Sequence, residues 1–154
     1  MHMFDENIKK LGLTIPNPPD AVANYIPYKI ADKILYISGQ APLKDGNVIY
    51  KGKVGDNISM EEGIKAAELC CINIIAALKK SINNDWDQFD TFIKLGGFVN
   101  CKEDFVDQPK IINGASDLLV SIFGEQGRHT RFAVGANSLP LDISVEIDAI
   151  IKLK

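Results

Sequence analysis

The sequence contains few residues of the types that build metal centres or disulfide frameworks. There are three cysteines and two histidines among 154 residues. Cys70 and Cys71 are adjacent on a helical pattern, which predicts small core residues rather than a disulfide pair, and Cys101 stands in a polar segment. His2 lies at the start of the sequence and His129 is isolated. No Cys/His grouping therefore has metal-ligand spacing, and we expect no metal site.

An excess of basic residues is also missing. Lysine and arginine total 17 against 20 aspartate and glutamate residues, which gives a formal net charge of −3. Binding to nucleic acid depends on lysine and arginine neutralising phosphates, and the sequence has no basic stripe interleaved with aromatic residues. We therefore do not expect nucleic acid as a partner, although a local basic patch would be compatible with this charge.

Long apolar runs are absent as well. No stretch approaches the roughly 20 apolar residues that a helix needs to span a bilayer. Residues 1–5 lack the basic segment, leading into an apolar run, that opens a signal peptide. The expected location is therefore the cytoplasm, with no membrane partner.

The composition is that of an ordinary soluble domain, with 46% hydrophobic and 24% charged residues. The length suits a single domain over residues 1–154. Apolar spacing, capping signals and turn residues predict nine features in chain order. They are a short helix at 5–11, a rigid proline-rich connector at 16–19, a strand at 34–37, an Asp-Gly turn at 45–46 leading to a returning strand at 48–50, a helix at 59–80, a strand at 89–99, a helix at 108–123, a strand at 130–135 and a strand at 143–153.

The last of these strands has a clear two-residue period. The odd positions from 143 to 153 are all apolar, whereas the even positions carry Ser144, Glu146, Asp148, Ile150 and Lys152. Two helices can cover only one face of such a sheet. The other face mixes polar and apolar groups, which favours a subunit interface containing sites over a surface in open solvent.

Three segments together carry a resemblance to a known family. They are residues 25–40 ending in Ser-Gly-Gln, Phe-Val at 98–99 with Asp-Phe at 104–105, and Thr-Arg at 130–131 followed by Leu-Pro at 139–140 and Val-Glu-Ile-Asp-Ala-Ile at 145–150. In this order and spacing the chain resembles the reactive intermediate deaminase (Rid) family, also called YjgF. The resemblance implies an α+β fold like that of chorismate mutase, with a mixed sheet, two helices on one face, and a homotrimeric barrel with clefts between subunits.

The resemblance also implies an activity. Active Rid proteins hydrolyse imines and enamines of amino acids, such as 2-aminoacrylate, to a keto acid and ammonia, without a metal or an organic cofactor. The implied partner is then a small carboxylate or imino acid. Two other functions stay open: a non-catalytic protein that senses small carboxylates, and an endoribonuclease, which some family names suggest and which the acidic charge disfavours.

Five positions of this chain match the family's functional positions. Arg131 matches the arginine that holds the substrate carboxylate, and the backbone amide of Ala133 matches a second contact to that carboxylate. Glu146 matches the residue that positions the attacking water. The backbone carbonyl of Gly39 matches the group that faces the reacting nitrogen, and Tyr25 matches the tyrosine that closes the pocket from a neighbouring subunit.

The chain also departs from the family pattern. The usual Phe-Pro-Ala-Arg run is replaced by residues 127–131, Gly-Arg-His-Thr-Arg, and Glu103 stands where asparagine is common. Residues 113–116 suggest a divergent branch of the family. The family's fold and its substrate-binding arginine are therefore expected in this chain, whereas the family's substrate is not carried over. Arg128 is interpreted either as a second positive group near the anion site or as a surface residue. His129 is interpreted as a loop or interface residue, with catalysis as its alternative.

Each of the main assignments has a structural alternative. Arg131 could form an ion pair with Glu146 or Asp148 that holds strands or subunits together. Glu146 could be a solvated residue of a sheet face, and Tyr25 could serve only for interface packing.

Overall fold

The computed structural model describes residues 1–18, 20–21 and 23–154. The elements run in chain order as α1 (Met3–Lys10), β1 (Tyr28–Ala31), β2 (Ile34–Gln40), β3 (Leu43–Lys44), β4 (Asn47–Val48), α2 (Met60–Ser81), β5 (Phe89–Asn100), α3 (Gln108–Phe123), β6 (Thr130–Ala136) and β7 (Val145–Leu153). In this part of the chain, none of the helices has the length and apolarity needed to cross a membrane.

Five of the strands form one mixed sheet in the order β1-β2-β7-β5-β6. Strands β5 and β6 are parallel and are joined through α3, whereas the other neighbouring pairs are antiparallel. The predicted alternation is confirmed over β7, because residues 145, 147, 149, 151 and 153 are all buried, but it does not extend to Ser144, which is also buried and precedes the strand. Both α2 and α3 pack against that buried face, which confirms the predicted mixed α+β architecture with two helices on one side.

Local sequence signals explain where the long helices begin and how closely they pack. The predicted capping box of α2 is present: the Ser59 hydroxyl accepts the Glu62 N–H and the Glu62 carboxylate accepts the Ser59 N–H, each at 3.2 Å. Pro109 lies in the first turn of α3, where its missing N–H costs nothing. A β-carbon at Gly114 would lie 2.3 Å from the Ile64 carbonyl oxygen of α2, so glycine permits close contact between these helices.

The predicted returning strand at 48–50 is only partly present, because β4 ends at Val48, and it pairs with β3 instead of with β2. Strand β2 pairs instead with β1, through a tight turn at Asp32 and Lys33, which have φ of 48° and 65°. The Asp45-Gly46 turn does form a hairpin, but it joins β3 to β4 in a separate two-stranded sheet. Both sides of β2 are occupied by β1 and β7, so β2 itself has no free edge for a returning strand.

The start of the chain also differs from expectation. Helix α1 begins at Met3 instead of residue 5, because the His2 ring nitrogen accepts the Phe4 N–H at 3.1 Å and caps the helix. Of the predicted connector at 16–19, residues 16–18 have no regular secondary structure, and residue 19 lies outside the described residues.

The sheet face opposite the helices is uncovered in a single chain; we call it the open face. Tyr36, Phe98 and Val134 on this face are 48%, 39% and 42% exposed. Phe98 packs edge-on against Phe132 of the neighbouring strand, with ring centroids 5.2 Å apart. Glu146 and Asp148 of β7 lie on the same face, so this face mixes polar and apolar groups, as the sequence predicts.

Candidate functional site

Arg131 lies on β6, the outer strand of the sheet, and is held by α3. Its strand register pairs it with Leu95, a core residue, so its side chain leaves the sheet on the helix side. One terminal nitrogen, Nη1, donates to Asn113 Oδ1 at 2.9 Å and to Ser116 Oγ at 3.0 Å. The other, Nη2, donates to the Pro109 carbonyl at 3.1 Å. These partners belong to α3, and the alternative ion pair with Glu146 or Asp148 is not formed within the described chain.

These three hydrogen bonds leave a specific part of the Arg131 guanidinium free. The group has five N–H donors, and the described residues accept from three of them. The Nε–H and one Nη2–H are left over, and these two nitrogens share one edge of the planar group. Such an edge matches the two oxygens of a carboxylate.

The free edge of β6 offers a further donor beside Arg131. The Cys101 N–H donates to the Ala136 carbonyl at 3.4 Å, so the backbone groups of Ala136 face β5. Backbone groups of successive strand residues point to alternate sides, so those of Ala133 face away from β5, toward the free edge. The predicted Ala133 amide and the Arg131 side chain therefore lie along the same edge.

His129 extends the hydrogen-bonded network behind Arg131. Its Nδ1 lies 2.6 Å from the Gly127 carbonyl, so this nitrogen carries the hydrogen and Nε2 accepts from the Ser116 hydroxyl at 2.8 Å. Partial burial, and then the charge of Arg131, lower the pKa of His129, while the hydrogen bond to Gly127 opposes them. The ring is therefore favoured in its neutral form.

Gly39 and Glu146 lie together on the open face. A β-carbon at Gly39 would be only 2.7 Å from Glu146 Oε1, so the missing side chain makes room for the carboxylate. The pairing of β2 with β7 shifts register between Ile37 and Gln40, and Gly39 falls within that irregularity. Partial burial, and then the neighbouring charge of Asp148, raise the pKa of Glu146.

Tyr25 lies near the same part of β2. The Ser38 hydroxyl donates to the Ile26 carbonyl at 2.7 Å, and the Ser38 N–H donates to the Pro27 carbonyl at 2.9 Å. These bonds hold the segment after Tyr25 against the residue that precedes Gly39. The Tyr25 side chain itself is 48% exposed.

The predicted site residues thus form two groups in one chain. Gly39 and Glu146 share the open face, whereas Arg131 and Ala133 lie at the outer edge of β6. Strand β5 separates Arg131 on β6 from Glu146 on β7. Arg131 aligns through Leu95 with Ala149 of β7, which is three residues from Glu146. With a strand spacing of about 4.8 Å and a rise of about 3.4 Å per residue, their Cα atoms are about 14 Å apart. Their side chains also leave opposite faces of the sheet.

Comparison with known proteins assigns the chain to a family. A family model described as YjgF/chorismate mutase-like, putative endoribonuclease, matches residues 6–150. The chain belongs to the YjgF/Rid family. It is 36% identical over 148 residues to protein TCP17 of Trypanosoma cruzi, which covers 96% of this chain and 92% of that protein.

Two further relatives extend this comparison. The chain is 32% identical to the Lactococcus lactis protein named "Putative regulator AldR", with 88% of this chain and 92% of that protein covered. The crystal structure of protein Atu1372 from Agrobacterium tumefaciens is similar with a TM-score of 0.93 at 43% identity, covering 99% of this chain and 93% of that one. The YjgF/Rid fold of this chain is thus shared with solved structures over nearly its whole length.

The residues that differ from the YjgF/Rid pattern occupy three places. His129, Asn113 and Ser116 form the network behind Arg131. Arg128 makes an exposed ion pair with Glu125 at 2.9 Å and does not join this network. Glu103 lines an open cavity of about 650 Å³ at the carboxyl ends of β5 and β6. Gln108 and Gly135 line the same cavity, so it lies at the far end of β6, the strand that carries Arg131.

Sequence reasoning missed Asn113 and Ser116 as functional candidates. A signal was present, because these two polar residues lie three apart on one side of a helix whose buried positions are all apolar. Their relation to Arg131 follows only from the parallel pairing of β5 and β6 with α3 across them.

Proposed function

We propose that this protein hydrolyses imine or enamine intermediates of amino acids to a keto acid and ammonia, in clefts between the subunits of a homotrimer. The observation that carries the proposal is the free Nε–Nη2 edge of Arg131 beside the outward-facing amide of Ala133. Together they form a donor set for one small carboxylate. Membership of the YjgF/Rid family, which includes such deaminases, supports this assignment.

The separation of the two residue groups supports a site between subunits. Within one chain, Arg131 and Glu146 are about 14 Å apart on opposite faces, too far to bind one small keto acid. A neighbouring subunit would have to supply the second group. The exposed Tyr36, Phe98 and Val134 of the open face give an assembly apolar surface to bury.

The proposed reaction begins with carboxylate binding. Arg131 and the Ala133 amide fix the carboxylate, which sets the position of the imine carbon and lowers the entropic part of the barrier. The Gly39 carbonyl accepts a hydrogen bond from the protonated imine nitrogen. Tyr25 covers the bound substrate from the neighbouring subunit.

Water then adds to the imine carbon, and Glu146 takes the proton that the water loses. The C=N electron pair moves to nitrogen, which gives an amino alcohol. Glu146 then returns the proton to nitrogen and is again a carboxylate. As the C–N bond breaks and ammonia leaves, Glu146 takes the proton of the hydroxyl group, and the C=O bond of the keto acid forms. The raised pKa of Glu146 suits this exchange, because a proton carrier works best when its pKa is near the working pH.

The test is ammonia release from an imino acid generated in the cuvette by an amino acid oxidase. The wild-type protein should release ammonia faster than the spontaneous reaction, and Arg131→Ala should not. A wild-type rate equal to the rate without protein would refute the hydrolase.

A second function, sensing of small carboxylates, is favoured by the relative named as a regulator. The same Arg131 edge would then bind a keto acid without turnover. Measurable pyruvate binding combined with no hydrolysis would support sensing over catalysis. Endoribonuclease activity, present in the family description, is disfavoured by the net charge of −3.

A further inference from the structure

We propose that Asn113, Ser116 and His129 are positioning residues that hold Arg131 so that only its Nε–Nη2 edge meets the substrate carboxylate. The inference rests on the proposed role of Arg131 as the carboxylate anchor. It assigns a function to the segment in which this chain differs from the usual family pattern.

The first argument is geometric. Asn113 and Ser116 are three residues apart on α3, so they lie on one face of a rigid helix. Both accept hydrogen bonds from the same Arg131 nitrogen, at 2.9 and 3.0 Å, while the Pro109 carbonyl restrains the other at 3.1 Å. A long, flexible side chain is thereby fixed before any ligand arrives, which removes part of the ordering cost of binding.

The second argument concerns charge. An asparagine amide, a serine hydroxyl and a backbone carbonyl hold Arg131, and all three are neutral. Among the residues that the structure describes, no carboxylate lies within ion-pair distance of Arg131. Its positive charge is therefore not neutralised inside the chain and stays available to an anionic ligand. An aspartate at position 113 would hold the guanidinium at least as firmly but would cancel this charge.

The third argument concerns the direction of the Ser116 hydroxyl. The His129 Nδ1–H is fixed on the Gly127 carbonyl, so Nε2 accepts the Ser116 hydrogen at 2.8 Å. A helical serine otherwise tends to donate to the carbonyl four residues earlier. With its hydrogen on His129, the Ser116 oxygen turns its lone pairs toward Arg131. His129 thus acts on Arg131 through Ser116 and does not need to touch the substrate.

The experiment compares Asn113→Asp and Ser116→Ala with matched controls at Ser121, an exposed residue of the same helix. Pyruvate affinity is measured by calorimetry, thermal stability by melting, and KM and kcat by ammonia release. Asn113→Asp should weaken pyruvate binding about tenfold or more, because a like charge then faces the bound carboxylate. Its melting temperature should be unchanged or higher, and Ser121→Asp should bind as the wild type does.

Ser116→Ala should raise Kd and KM about 2- to 10-fold with kcat nearly unchanged, since the anchor contact is common to ground and transition states. Ser116→Thr, which keeps the hydroxyl, should restore the affinity, and Ser121→Ala should have no effect. The ¹⁵N relaxation of the Arg131 Nε–H supplies a readout without ligand. It should report a rigid group in the wild type and a mobile one in Ser116→Ala.

The outcomes separate this inference from the proposed function. If Asn113→Asp and Ser116→Ala bind pyruvate as the wild type does while Arg131→Ala loses binding, the positioning role is wrong and the anchor stands. If Arg131→Ala itself binds pyruvate normally, the proposed function fails. If Asn113→Asp does not fold, the comparison of Ser116→Ala with Ser116→Thr decides the inference alone.

Discussion

Replacing Glu146 by glutamine separates a catalytic role of this residue from a structural one. Glutamine keeps the size and most of the hydrogen bonding of glutamate but cannot take up a proton near neutral pH. If Glu146 moves the proton of water, imine hydrolysis should fall by roughly 10²–10⁴, the range for losing general acid–base help. Pyruvate affinity should be retained, because the proposed carboxylate anchor is Arg131.

The Glu146→Gln substitution should leave thermal stability near neutral pH unchanged or raise it. The pKa of Glu146 is raised in the folded chain, so the folded state binds a proton more tightly than the unfolded state does. Above the unfolded pKa the folded protein therefore loses stability as pH rises through the folded pKa of Glu146. Glu146→Gln removes this loss. The variant should melt at or above the wild-type temperature near pH 7, and the difference should shrink near pH 4.

The assay needs three measurements on both proteins: mass in solution, pyruvate affinity and ammonia release. A Glu146→Gln protein with wild-type mass, wild-type affinity and a wild-type rate would remove Glu146 from the mechanism. If the rate fell only as far as assembly weakened, Glu146 would be an interface residue.

Four other predictions follow from the fold and the site. Light scattering should give about three times the chain mass of 16.9 kDa, and a monomer at micromolar concentration would contradict the intersubunit site. Arg131→Ala should fold and assemble normally but lose about 2–5 kcal/mol of pyruvate binding in calorimetry, by analogy with truncated charge pairs; unchanged affinity would rule it out as the anchor. Gly39→Ala should slow hydrolysis more than it weakens pyruvate binding, since its β-carbon would lie 2.7 Å from Glu146 Oε1 and displace that carboxylate; an unchanged rate would show that this contact does not matter. The pKa of His129 is lowered in the folded chain, so the fold is more stable above the ordinary pKa of 6.5 and loses this stability as pH falls through the folded pKa. The melting temperature of His129→Gln should therefore depend less on pH in that range than that of the wild type. An identical pH dependence of the two proteins would contradict this.

Local patterns predicted the long elements well because each carries its own signal. The capping box at Ser59 and Glu62 marks the start of α2, and the two-residue period marks β7. The β1–β2 hairpin was missed because its turn, Asp32-Lys33, lacks the glycine or asparagine that usually marks such turns. The Asp45-Gly46 turn has that signature and was assigned to the wrong pair of strands.

The sequence proposes a set of candidate site residues, but it does not predict how they are arranged in space. Arg131 and Glu146 were identified from the family motif, and the structure places them on opposite faces of the sheet. That separation depends on β5 lying between β6 and β7 and on the register of both pairings, which no local pattern specifies. The hold of Asn113 and Ser116 on Arg131 likewise depends on contacts between residues that are 15 to 18 positions apart.

The central position of β7 has a consequence for the order of folding. Strands β1 and β2 can pair early through their short turn, and β5 and β6 can pair across α3, but β7 alone joins these two halves. Its pairing with β2 brings Ile37 to Ala149 across more than 100 residues of chain, a long-range contact of the kind that slows folding. Glu146 lies on this joining strand and faces Gly39 from the first half. If Arg131 and Glu146 act as proposed, a partly folded chain presents the Arg131 edge before Glu146 has met Gly39, and carboxylate binding is gained earlier in folding than hydrolysis.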